Sequence, residues 1–430
     1  MTTTIDQLSK QIGAPITLEG WVHGVRSSGK IAFLQLRDGT GFVQVVYQAA
    51  DLEAADWEAL THAGQESSVR CKGTVVEDDR SPTGVEMHGA VFEMISAAID
   101  YPIAPKKHGV DFLMDNRHLW HRSPKQWAIM RVRDTLERAT MEFLHDNGFI
   151  RFDAPILTPN ACEGTTTLYK VDHFGRSAYL TQSGQLYLEA GIFGHRRVYD
   201  FGPVFRAEKS KTRRHLNEFW MMDAEAAFVD WQGNMQIQED LILYMLKRVL
   251  EERRYELATV LERDVSKLDA IKGPFPRLHH KDAVAKLRAL GSDIPEDDDL
   301  GADDETLLTQ QYDTPIFVTQ YPSKVKAFYM KQDPSDASRV LCSDLLAPEG
   351  YGEVIGGSER EIDLETLTKK IEEHGLPLEP FKWYLDLRRY GSVPHSGFGF
   401  GLERLVTWIC GLKHVRTSIP FPRTMNRLEP

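Results

Sequence analysis

The sequence is poor in cysteine and has no long hydrophobic run. Its four cysteines, Cys71, Cys162, Cys342 and Cys410, are too widely spaced for a Cys-x-x-Cys metal site or a disulfide framework. No stretch of about 18 apolar residues occurs, and the first residues lack a basic region followed by an apolar one. These absences exclude a disulfide-stabilised scaffold. They predict a cytoplasmic protein with reduced thiols that neither spans a membrane nor is secreted.

Positive charge is also scarce. The 430 residues carry 51 Lys and Arg against 63 Asp and Glu, which gives a formal net charge of −12. This excess of acid argues against a protein that coats nucleic acid non-specifically, although a local basic groove stays open. A hydrophobic fraction of 42% and a charged fraction of 27% are typical of a globular protein.

The sequence between Ile16 and Ala97 alternates between apolar and polar residues. Its β-branched runs are separated by Asp-Gly and Ser-Gly pairs, a pattern typical of hairpins. About five strands in about 100 residues predict an OB-type barrel. Residues 101–122 are rich in proline, histidine and charge and are interpreted as a linker, which leaves residues 1–100 as the first domain.

Helical periodicity begins directly after the linker. Ser123 and Pro124 suit an N-cap and a first-turn proline, and apolar residues then recur at spacings of three and four up to Asn147. Strands and helices mix irregularly thereafter, which predicts an α+β domain over residues 123–430 on a mainly antiparallel sheet. The acidic segment from Asp293 to Glu305 is interpreted as a solvated loop within an insertion, the insertion spanning about residues 251–310.

Arg206 and Glu208 stand two positions apart in a strand, loop and strand segment, so we expect both on one face of a strand. The planar guanidinium of arginine binds phosphate or carboxylate through two hydrogen bonds and keeps its charge. An isolated Arg-x-Glu pair is also a common structural ion pair, and that alternative stays open.

Three alternating glycines, Gly397, Gly399 and Gly401, precede a helix that contains Arg404. Glycines on one side of a strand make room for a flat ligand or for another backbone. Neither the Gly-x-Gly-x-x-Gly spacing of dinucleotide folds nor the Walker element is present. Taken alone, the glycines are equally compatible with a packing role.

Taken in the order in which they occur along the chain, these segments resemble the three motifs of class II aminoacyl-tRNA synthetases. The helix that leads to a strand and Pro155 resembles motif 1, the Arg206 segment motif 2, and the glycine-rich strand with its helix motif 3. With the OB-like domain ahead of them, nearly the whole chain resembles the aspartyl, asparaginyl and lysyl subgroup. The resemblance implies ATP and Mg²⁺ as cofactors, a homodimer formed through motif 1, and a sheet of about six to seven strands flanked by helices.

The resemblance also implies a nucleotide site. Arg206 would bind the α-phosphate and the substrate carboxylate, and Phe219 would stack on adenine. Arg404 would cover the other adenine face or reach the γ-phosphate. Glu353 would hold Mg²⁺, with Asp344 as a second ligand. The resemblance assigns catalysis to Arg206, Glu208 and Arg404, and further nucleotide contacts to Arg214, His215, Leu216, Gly401, Leu402 and Glu403.

Substrate choice rests on the segment that carries Gln185. Glu163 and Gln185 are candidates for the substrate ammonium group. In aspartyl relatives a lysine follows this glutamine by three residues, whereas here the position is Leu188, and loss of that cation favours asparagine over aspartate. Arg360 could donate to the amide oxygen, with a carboxylate accepting from the amide nitrogen. The implied amino-acid contacts are Glu163, Gln182, Ser183, Gln185, Arg206, Glu218, Glu225 and Arg360.

Phe33 and Gln44 lie on adjacent strands of the predicted barrel. In the family, the matching aromatic residue stacks on the central anticodon base and the matching glutamine hydrogen-bonds to it. Arg26 and Lys30 in the preceding loop would hold phosphate. Alternation alone leaves Phe33 equally compatible with the barrel core. Because this domain carries more acids than bases, we expect its contact with RNA to be local.

We therefore expect an enzyme that activates asparagine with ATP and transfers it to tRNA(Asn). Three alternatives remain: an aspartyl enzyme, with or without activity on both tRNA(Asp) and tRNA(Asn); an ATP-dependent ligase that makes asparagine from aspartate; and an inactive RNA-binding relative. Leu188 counts against the first, and the OB-like domain against the second. Arg206, Glu353 and Arg404 count against the third, which would be expected to lose them.

Overall fold

The computed structural model describes residues 3–81, 83–163, 167–210 and 212–430. The chain divides into two compact units, Met1–Leu113 and Met114–Pro430. This boundary lies inside the segment interpreted as a linker, and the finer domain limits stay a prediction. Within the described residues, no helix combines the length and the apolar character that a membrane crossing requires.

The first unit contains a closed five-stranded barrel, which confirms the predicted OB fold. The barrel strands run in the spatial order β1-β2-β3-β5-β4, and only the β3 and β5 pair is parallel. Their bounds, with the one α-helix between them, are β1 Pro15–Ser28, β2 Ile31–Arg37, β3 Phe42–Gln48, α1 Ala54–Thr61, β4 Ser68–Glu77 and β5 Val85–Ser96.

Strict alternation along β2 decides which side chains fill the barrel. Ala32, Leu34 and Leu36 are fully buried in its core, whereas Phe33 and Gln35 between them are only half-buried. Successive side chains of a strand point to opposite faces, so Phe33 lies on the outer face of the barrel. Phe33 is therefore not a residue of the barrel core, and that alternative is excluded.

The second unit holds the remaining strands and helices, except that the helix Val110–Asp115 spans the boundary between the two units. Its strands are β6 Ile150–Arg151, β7 Leu157–Thr158, β8 Lys170–His173, β9 Arg176–Leu180, β10 Arg197–Phe205, β11 Glu218–Ala227, β12 Arg277–His279, β13 Ile316–Thr319, β14 Gln332–Asp333, β15 Asp336–Val340, β16 Cys342–Ala347, β17 Gly352–Glu359 and β18 His395–Gly401. The helices after the barrel are α2 Val110–Asp115, α3 Arg117–Trp120, α4 Pro124–Asp146, α5 Gln185–His195, α6 Trp231–Glu252, α7 Val265–Asp269, α8 His280–Ala289, α9 Ala302–Thr309, α10 Leu364–Glu373, α11 Lys382–Arg389 and α12 Leu402–Ile409.

Eight of these strands form one large sheet in the order β12-β13-β16-β17-β18-β11-β10-β6. Its central pairs are antiparallel, as predicted, whereas the outermost pairs, β12 with β13 and β10 with β6, are parallel. The sheet therefore has eight strands and not the expected six to seven. The edge strands β6 and β12 have two and three residues, which is too short for a period of two to be visible in the sequence.

The predicted motif 1 helix is confirmed as α4. The Ser123 side chain caps it by accepting a hydrogen bond from the Gln126 backbone N–H, and the helix ends just before Asn147 and Gly148. Its apolar face joins α6, α12 and the large sheet in the main hydrophobic core, through Ile129, Val132, Leu136, Ala139 and Phe143. Burial of this stripe fixes α4 against the sheet.

The acidic insertion differs from the solvated loop that we expected. Helix α9 begins inside the acidic segment, and Ile294, Leu300 and Leu308 form a separate apolar cluster with α8. Isolated apolar residues among many acids gave no visible period in the sequence. They nevertheless pack the insertion into a cluster that it shares with Ile316 and Val318 of β13 and Leu346 of β16. The carboxylate of Glu305 is turned inward, and its contacts are described below.

Candidate active site

Two adjoining cavities lie over the centre of the large sheet. The first, here called the small cavity, has a volume of about 80 Å³. The second, the large cavity, has a volume of about 520 Å³. Four residues line both of them: Arg206, Met221, Glu353 and Gly399. A ligand in one cavity would therefore meet a ligand in the other beside Arg206.

The small cavity collects ten of the residues expected to contact nucleotide, namely Arg206, Glu208, Arg214, His215, Leu216, Phe219, Glu353, Gly401, Glu403 and Arg404. The side chain of Leu402 is instead fully buried in the hydrophobic core, because α12 begins there and turns its apolar face inward. A side-chain contact between Leu402 and nucleotide is therefore excluded. Glu403 also has a structural role, since its carboxylate accepts a 2.7 Å hydrogen bond from Arg133 of α4.

Arg206 and Glu208 do not lie on a strand as we expected. Strand β10 ends at Phe205, and both residues belong to the loop that follows. Asn217 fixes this loop, because its amide donates to the backbone oxygens of Arg206, at 2.7 Å, and of Glu208, at 3.0 Å. The Arg206 guanidinium stands 5.5 Å from the centre of the Phe219 ring, and its buried Nε has no hydrogen-bond partner among the described residues.

Arg404 and Glu353 form an ion pair at the junction of the two cavities. Arg404 Nη1 donates to Glu353 Oε2 at 2.7 Å and to the Glu353 backbone oxygen at 3.2 Å. Burial opposes ionisation of Glu353, but Arg404, Lys326 and Arg206 outweigh it and lower the pKa of this carboxyl. Glu353 is therefore a stable anion in the position expected for a metal ligand.

Asp344 stands beside Glu353 across Gly356. A Cβ at Gly356 would lie 3.1 Å from Glu353 Oε1 and 3.7 Å from Asp344 Oδ1, so the missing side chain leaves room between two carboxylates. Hard oxygen atoms with space between them suit Mg²⁺. Burial raises the pKa of Asp344 to about 6, against the effect of Lys326, whose Nζ donates to Asp344 Oδ2 at 2.8 Å. The donor set fits a divalent cation that competes with Lys326.

The large cavity collects some of the residues expected to contact the amino acid, namely Glu163, Ser183, Gln185, Arg206 and Arg360. Gln182 lies behind the wall, where its Oε1 accepts from the backbone N–H groups of Cys162 and Glu163 at 3.1 and 3.0 Å. Glu218 is placed elsewhere, at the start of β11 in a bridge to Arg423, and lines neither cavity. Its expected contact with the amino acid is therefore wrong, because Glu218 stands at the opposite end of β11 from Glu225.

Arg360 lines the floor of the large cavity. Glu225, which was expected to contact the amino acid, is buried directly beneath Arg360 and does not itself line the cavity. Arg360 Nε donates to Glu225 Oε1 at 3.0 Å, and Arg360 Nη1 donates to Ser358 Oγ at 2.7 Å. Burial raises the pKa of Glu225 to about 7, although Arg360 acts in the opposite direction. Gly397 on the neighbouring strand is required here, because a Cβ would collide with the Glu225 carboxylate. Gly397 and Gly399 therefore make room for the buried carboxylates of Glu225 and Asp223.

Sequence reasoning missed Glu189, which lies beneath the floor. Its carboxylate accepts hydrogen bonds from Arg388 Nη2 at 2.7 Å, Tyr384 Oη at 2.8 Å, His395 Nε2 at 3.1 Å and Gln185 Nε2 at 3.1 Å. Because an ionised carboxylate only accepts, the Gln185 amide nitrogen must face Glu189 and its oxygen is left for the cavity. The spacing of four between Gln185 and Glu189 on α5 was the available signal.

Asp223 is a second residue that was missed. It lines the large cavity and accepts hydrogen bonds from Ser183 Oγ at 2.9 Å and from the Gly184 backbone N–H at 2.8 Å. Burial raises its pKa to about 6. The feature that could have identified Asp223 is its strand pairing. Asp223 is the register partner of Gly399, and Glu225 is the register partner of Gly397, so each carboxylate lies opposite a glycine.

Leu188 does not line the large cavity. It is fully buried in an apolar cluster with Ile192, Val198 and Ala227. The helical period of α5 turns Gln185 and Glu189 toward the floor and Leu188 to another side. In the structure, the residues that favour a neutral substrate are therefore Arg360 and Glu225, and not Leu188.

The three barrel residues expected to contact RNA share one outer face. Arg26 is the register partner of Phe33, and Gln44 is the partner of Gln35 on the same face as Phe33. The Gln44 amide is held by Gln35, which donates to its oxygen at 3.1 Å, and by Glu86, which accepts from its nitrogen at 3.0 Å. The aromatic ring, the amide and the guanidinium are thus brought together on β1, β2 and β3.

Known proteins share this architecture. A family model described as tRNA synthetases class II (D, K and N) matches residues 109–425, and one described as an OB-fold nucleic acid binding domain matches residues 16–95. The chain is 53% identical over 428 residues to a curated asparagine–tRNA ligase of Desulforamulus reducens, and the match covers 100% of this chain and 99% of the relative.

Solved structures agree with the sequence comparison. The asparaginyl-tRNA synthetase of Pyrococcus horikoshii complexed with asparaginyl-adenylate is 45% identical, with a TM-score of 0.96 and all of both chains covered. The asparaginyl-tRNA synthetase of Entamoeba histolytica in complex with asparaginyl-adenylate is 29% identical, with a TM-score of 0.90 and the same coverage. The chain belongs to the class II tRNA synthetases of the D, K and N group.

Proposed function

We propose that this protein is an asparagine–tRNA ligase. It activates L-asparagine with ATP to asparaginyl-AMP and pyrophosphate, then transfers the asparaginyl group to tRNA(Asn) and releases AMP. The observation that carries this proposal is the floor of the large cavity, where Arg360 is held by Glu225. The full-length similarity to asparagine–tRNA ligases supports the same substrate.

Charge balance at the floor favours asparagine over aspartate. The guanidinium groups of Arg360 and Arg388 are matched by the carboxylates of Glu225 and Glu189. The side-chain carboxylate of aspartate would add a negative charge beside Glu225 and pay its desolvation cost without a matching cation. The amide of asparagine adds no charge, accepts from Arg360 and donates to a carboxylate. The charge balance at the floor therefore counts against the aspartyl alternative.

Activation needs positioning and charge stabilisation more than proton transfer. The α-carboxylate of asparagine is ionised near neutral pH and can attack the α-phosphorus of ATP directly. Arg206 belongs to both cavities and stands where the carboxylate and the α-phosphate would meet. Its guanidinium would stabilise the negative charge that develops during attack and hold the adenylate after pyrophosphate leaves.

ATP would extend from the small cavity to its junction with the large one, with its adenine against Phe219 and its phosphates toward Arg206 and Arg404. Mg²⁺ would be held by Glu353 and Asp344, which flank Gly356. The ion would offset phosphate charge and favour departure of pyrophosphate. Gln185, with its amide oxygen facing the large cavity, would accept from the substrate ammonium group, as would Glu163.

Recognition of tRNA would use the outer face of the barrel. An exposed or half-buried aromatic ring beside an amide is the usual arrangement for reading splayed single-stranded bases. Phe33 would stack on an anticodon base, Gln44 would hydrogen-bond to it, and Arg26 would bind phosphate. A cytoplasmic location stays a prediction, in keeping with the four buried cysteines, all of which are free thiols.

Two copies of the chain would associate through motif 1. Ile150, Ile156 and Leu157, which follow α4, are exposed to 49%, 42% and 45%. Exposed apolar side chains of this kind are typical of a protein–protein interface. Sedimentation of the purified protein should give a dimer, and Ile156→Asp should shift it toward monomer; a monomeric wild-type protein would contradict this part of the proposal.

ATP–pyrophosphate exchange with asparagine and with aspartate, side by side, tests the central proposal. We expect exchange with asparagine and at least about a hundredfold less with aspartate, because the floor is charge-balanced for a neutral side chain. Acylation of purified tRNA(Asn) then tests the second step, with tRNA(Asp) as the matched control. Exchange supported by aspartate alone would refute the proposal.

A further inference from the structure

The acidic insertion reaches the small cavity through helix α9. Arg214, which lines that cavity, donates from Nη1 to Glu305 Oε2 at 2.6 Å. Its Nη2 donates to Thr306 Oγ1 at 2.5 Å and to the Gly350 backbone oxygen at 2.9 Å. Both terminal nitrogens of this guanidinium are therefore held by the insertion and by the turn before β17.

The same carboxylate also touches the residue expected to hold the metal. Glu305 Oε2 accepts a 3.0 Å hydrogen bond from the backbone N–H of Glu353. Gly352 makes this convergence possible, because a Cβ there would collide with both Glu305 and Arg214, and its φ of +76° is readily adopted only by glycine. One carboxylate of the insertion thus joins the motif 2 loop to the start of β17.

This contact differs from an ordinary surface ion pair. The Arg214 and Glu305 side chains are only 10% and 15% exposed. Exposed pairs contribute little because water screens them, whereas a desolvated, hydrogen-bonded pair fixes its partners in one geometry. An arginine on a loop would otherwise lose side-chain freedom when it binds a ligand, so holding it in advance lowers the entropic cost of binding.

We propose that Glu305 is a positioning residue for ATP, which holds Arg214 in place at the small cavity before the nucleotide binds. The acidic insertion thereby acts in ATP binding and not as a solvated surface. This inference rests on the proposed function to the extent that the small cavity takes ATP. It requires no contact between Glu305 and the nucleotide, since Glu305 acts through Arg214.

Glu305→Gln in the full-length protein tests the inference, because it keeps the shape of the side chain and removes its charge. We expect the Kd for a non-hydrolysable ATP analogue with Mg²⁺, measured by calorimetry, and the KM for ATP in exchange to rise about tenfold or more. The KM values for asparagine and tRNA should stay within about twofold, a split that general loosening of the fold would not produce. Asp303→Asn, on the exposed side of the same helix, is the matched control and should change none of these values.

A double-mutant cycle with Arg214→Ala separates the possible routes. If Glu305 acts through Arg214, Glu305→Gln has no further effect on ATP affinity in the Arg214→Ala background. An equal loss in both backgrounds would overturn the proposal and point to Glu353. Tighter ATP binding by Glu305→Gln alone would also overturn it, because Glu305 would then compete with phosphate for Arg214.

Thr306→Val provides a second variant in case Glu305→Gln folds poorly. It removes one acceptor of Arg214 and leaves the helix intact, so a rise of about threefold in the same Kd is expected, and an unchanged Kd would count against the proposal. The analogue-binding measurement needs no amino acid. Absence of asparagine exchange in the wild-type protein would therefore refute the proposed function, while loss of analogue affinity in Glu305→Gln would still support the role of Glu305.

Discussion

The two cavities use ion pairs in opposite ways. At the small cavity, Arg404 and Glu353 are 28% and 33% exposed, so water and ligands can reach their pair. Beneath the large cavity, Arg388 and Glu189 are completely buried, and Arg360 and Glu225 are 4% and 1% exposed. The first arrangement can exchange partners when phosphates and a cation arrive. The second cannot move without breaking several buried hydrogen bonds at once.

This difference matches what each ligand demands. A triphosphate with its metal brings several charges, and a partly solvated pair such as Arg404 and Glu353 can exchange partners with them at small cost. Asparagine differs from aspartate by one amide, and such discrimination requires polar groups that stay where they are. A fixed and buried network therefore lies under the amino acid. Beside the nucleotide, the partly solvated Arg404 and Glu353 pair can adapt, whereas Arg214 is held by Glu305.

The largest effect is expected from Arg360→Gln. Removal of this guanidinium leaves Glu225 buried without its partner, which should lower the free energy of unfolding by about 3 to 5 kcal/mol. Asparagine-dependent exchange should fall by roughly 10³-fold, because the donor to the amide is lost. Denaturant unfolding and exchange assays measure the two effects. The double variant Arg360→Gln with Glu225→Gln should regain much of the stability and none of the exchange. A single variant as stable as the wild type would contradict the fixed floor.

The sequence predicted best those parts of the site that stand in recognisable motifs. Arg206, Glu353 and Arg404 were identified because their strands and helices follow one another in a distinctive order. The barrel was predictable because each strand alternates strictly, as β2 does at Phe33. Local patterns of this kind survive in the sequence, since they depend on neighbours only a few residues away.

The missed residues depend on distant partners. Glu189 on a helix and Glu305 in an acidic segment look like surface charges, and only tertiary packing against Arg388 and Arg214 makes them buried acceptors. At Leu188 the absence of the lysine of aspartyl relatives favoured asparagine, in agreement with the similarity to asparagine–tRNA ligases. The Leu188 side chain itself lies in an apolar cluster and does not line the large cavity. Spacing along the chain does not report which face of a helix meets a ligand.

A smaller effect on stability is expected from Glu353→Gln. Exchange should fall by about a hundredfold, because the variant loses the expected metal ligand and the partner of Arg404. The free energy of unfolding should change by no more than about 1 kcal/mol, since the pair is partly solvated. Exchange measured over a range of Mg²⁺ concentrations, together with denaturant unfolding, checks both statements. Destabilisation as large as that of Arg360→Gln would break the comparison between the two cavities.

Phe33→Ala changes a residue outside both cavities. The KM for tRNA(Asn) should rise about tenfold through loss of one stacking contact, while asparagine-dependent exchange stays unchanged. Val91→Ala, which removes an exposed apolar side chain elsewhere on the barrel, is the matched control and should leave the KM for tRNA unaltered. Reduced exchange in Phe33→Ala would show that the ring supports the fold instead of reading RNA.

The smallest effect on stability is expected from Asp223→Asn. Burial raises the pKa of Asp223 from 3.8 to about 6 in the folded protein. The folded state thus holds the proton more tightly than the unfolded state, so stability is lost as pH rises through this interval, and the loss persists at pH 8. Asparagine is neutral and its oxygen can accept from Ser183 and Gly184, so the variant should melt about 1 to 3 °C higher at pH 8 and gain nothing at pH 4. Asp240→Asn, exposed on α6, should show no such dependence. An equal gain at both pH values would mean that packing, and not an unpaired buried charge, sets the stability of the floor.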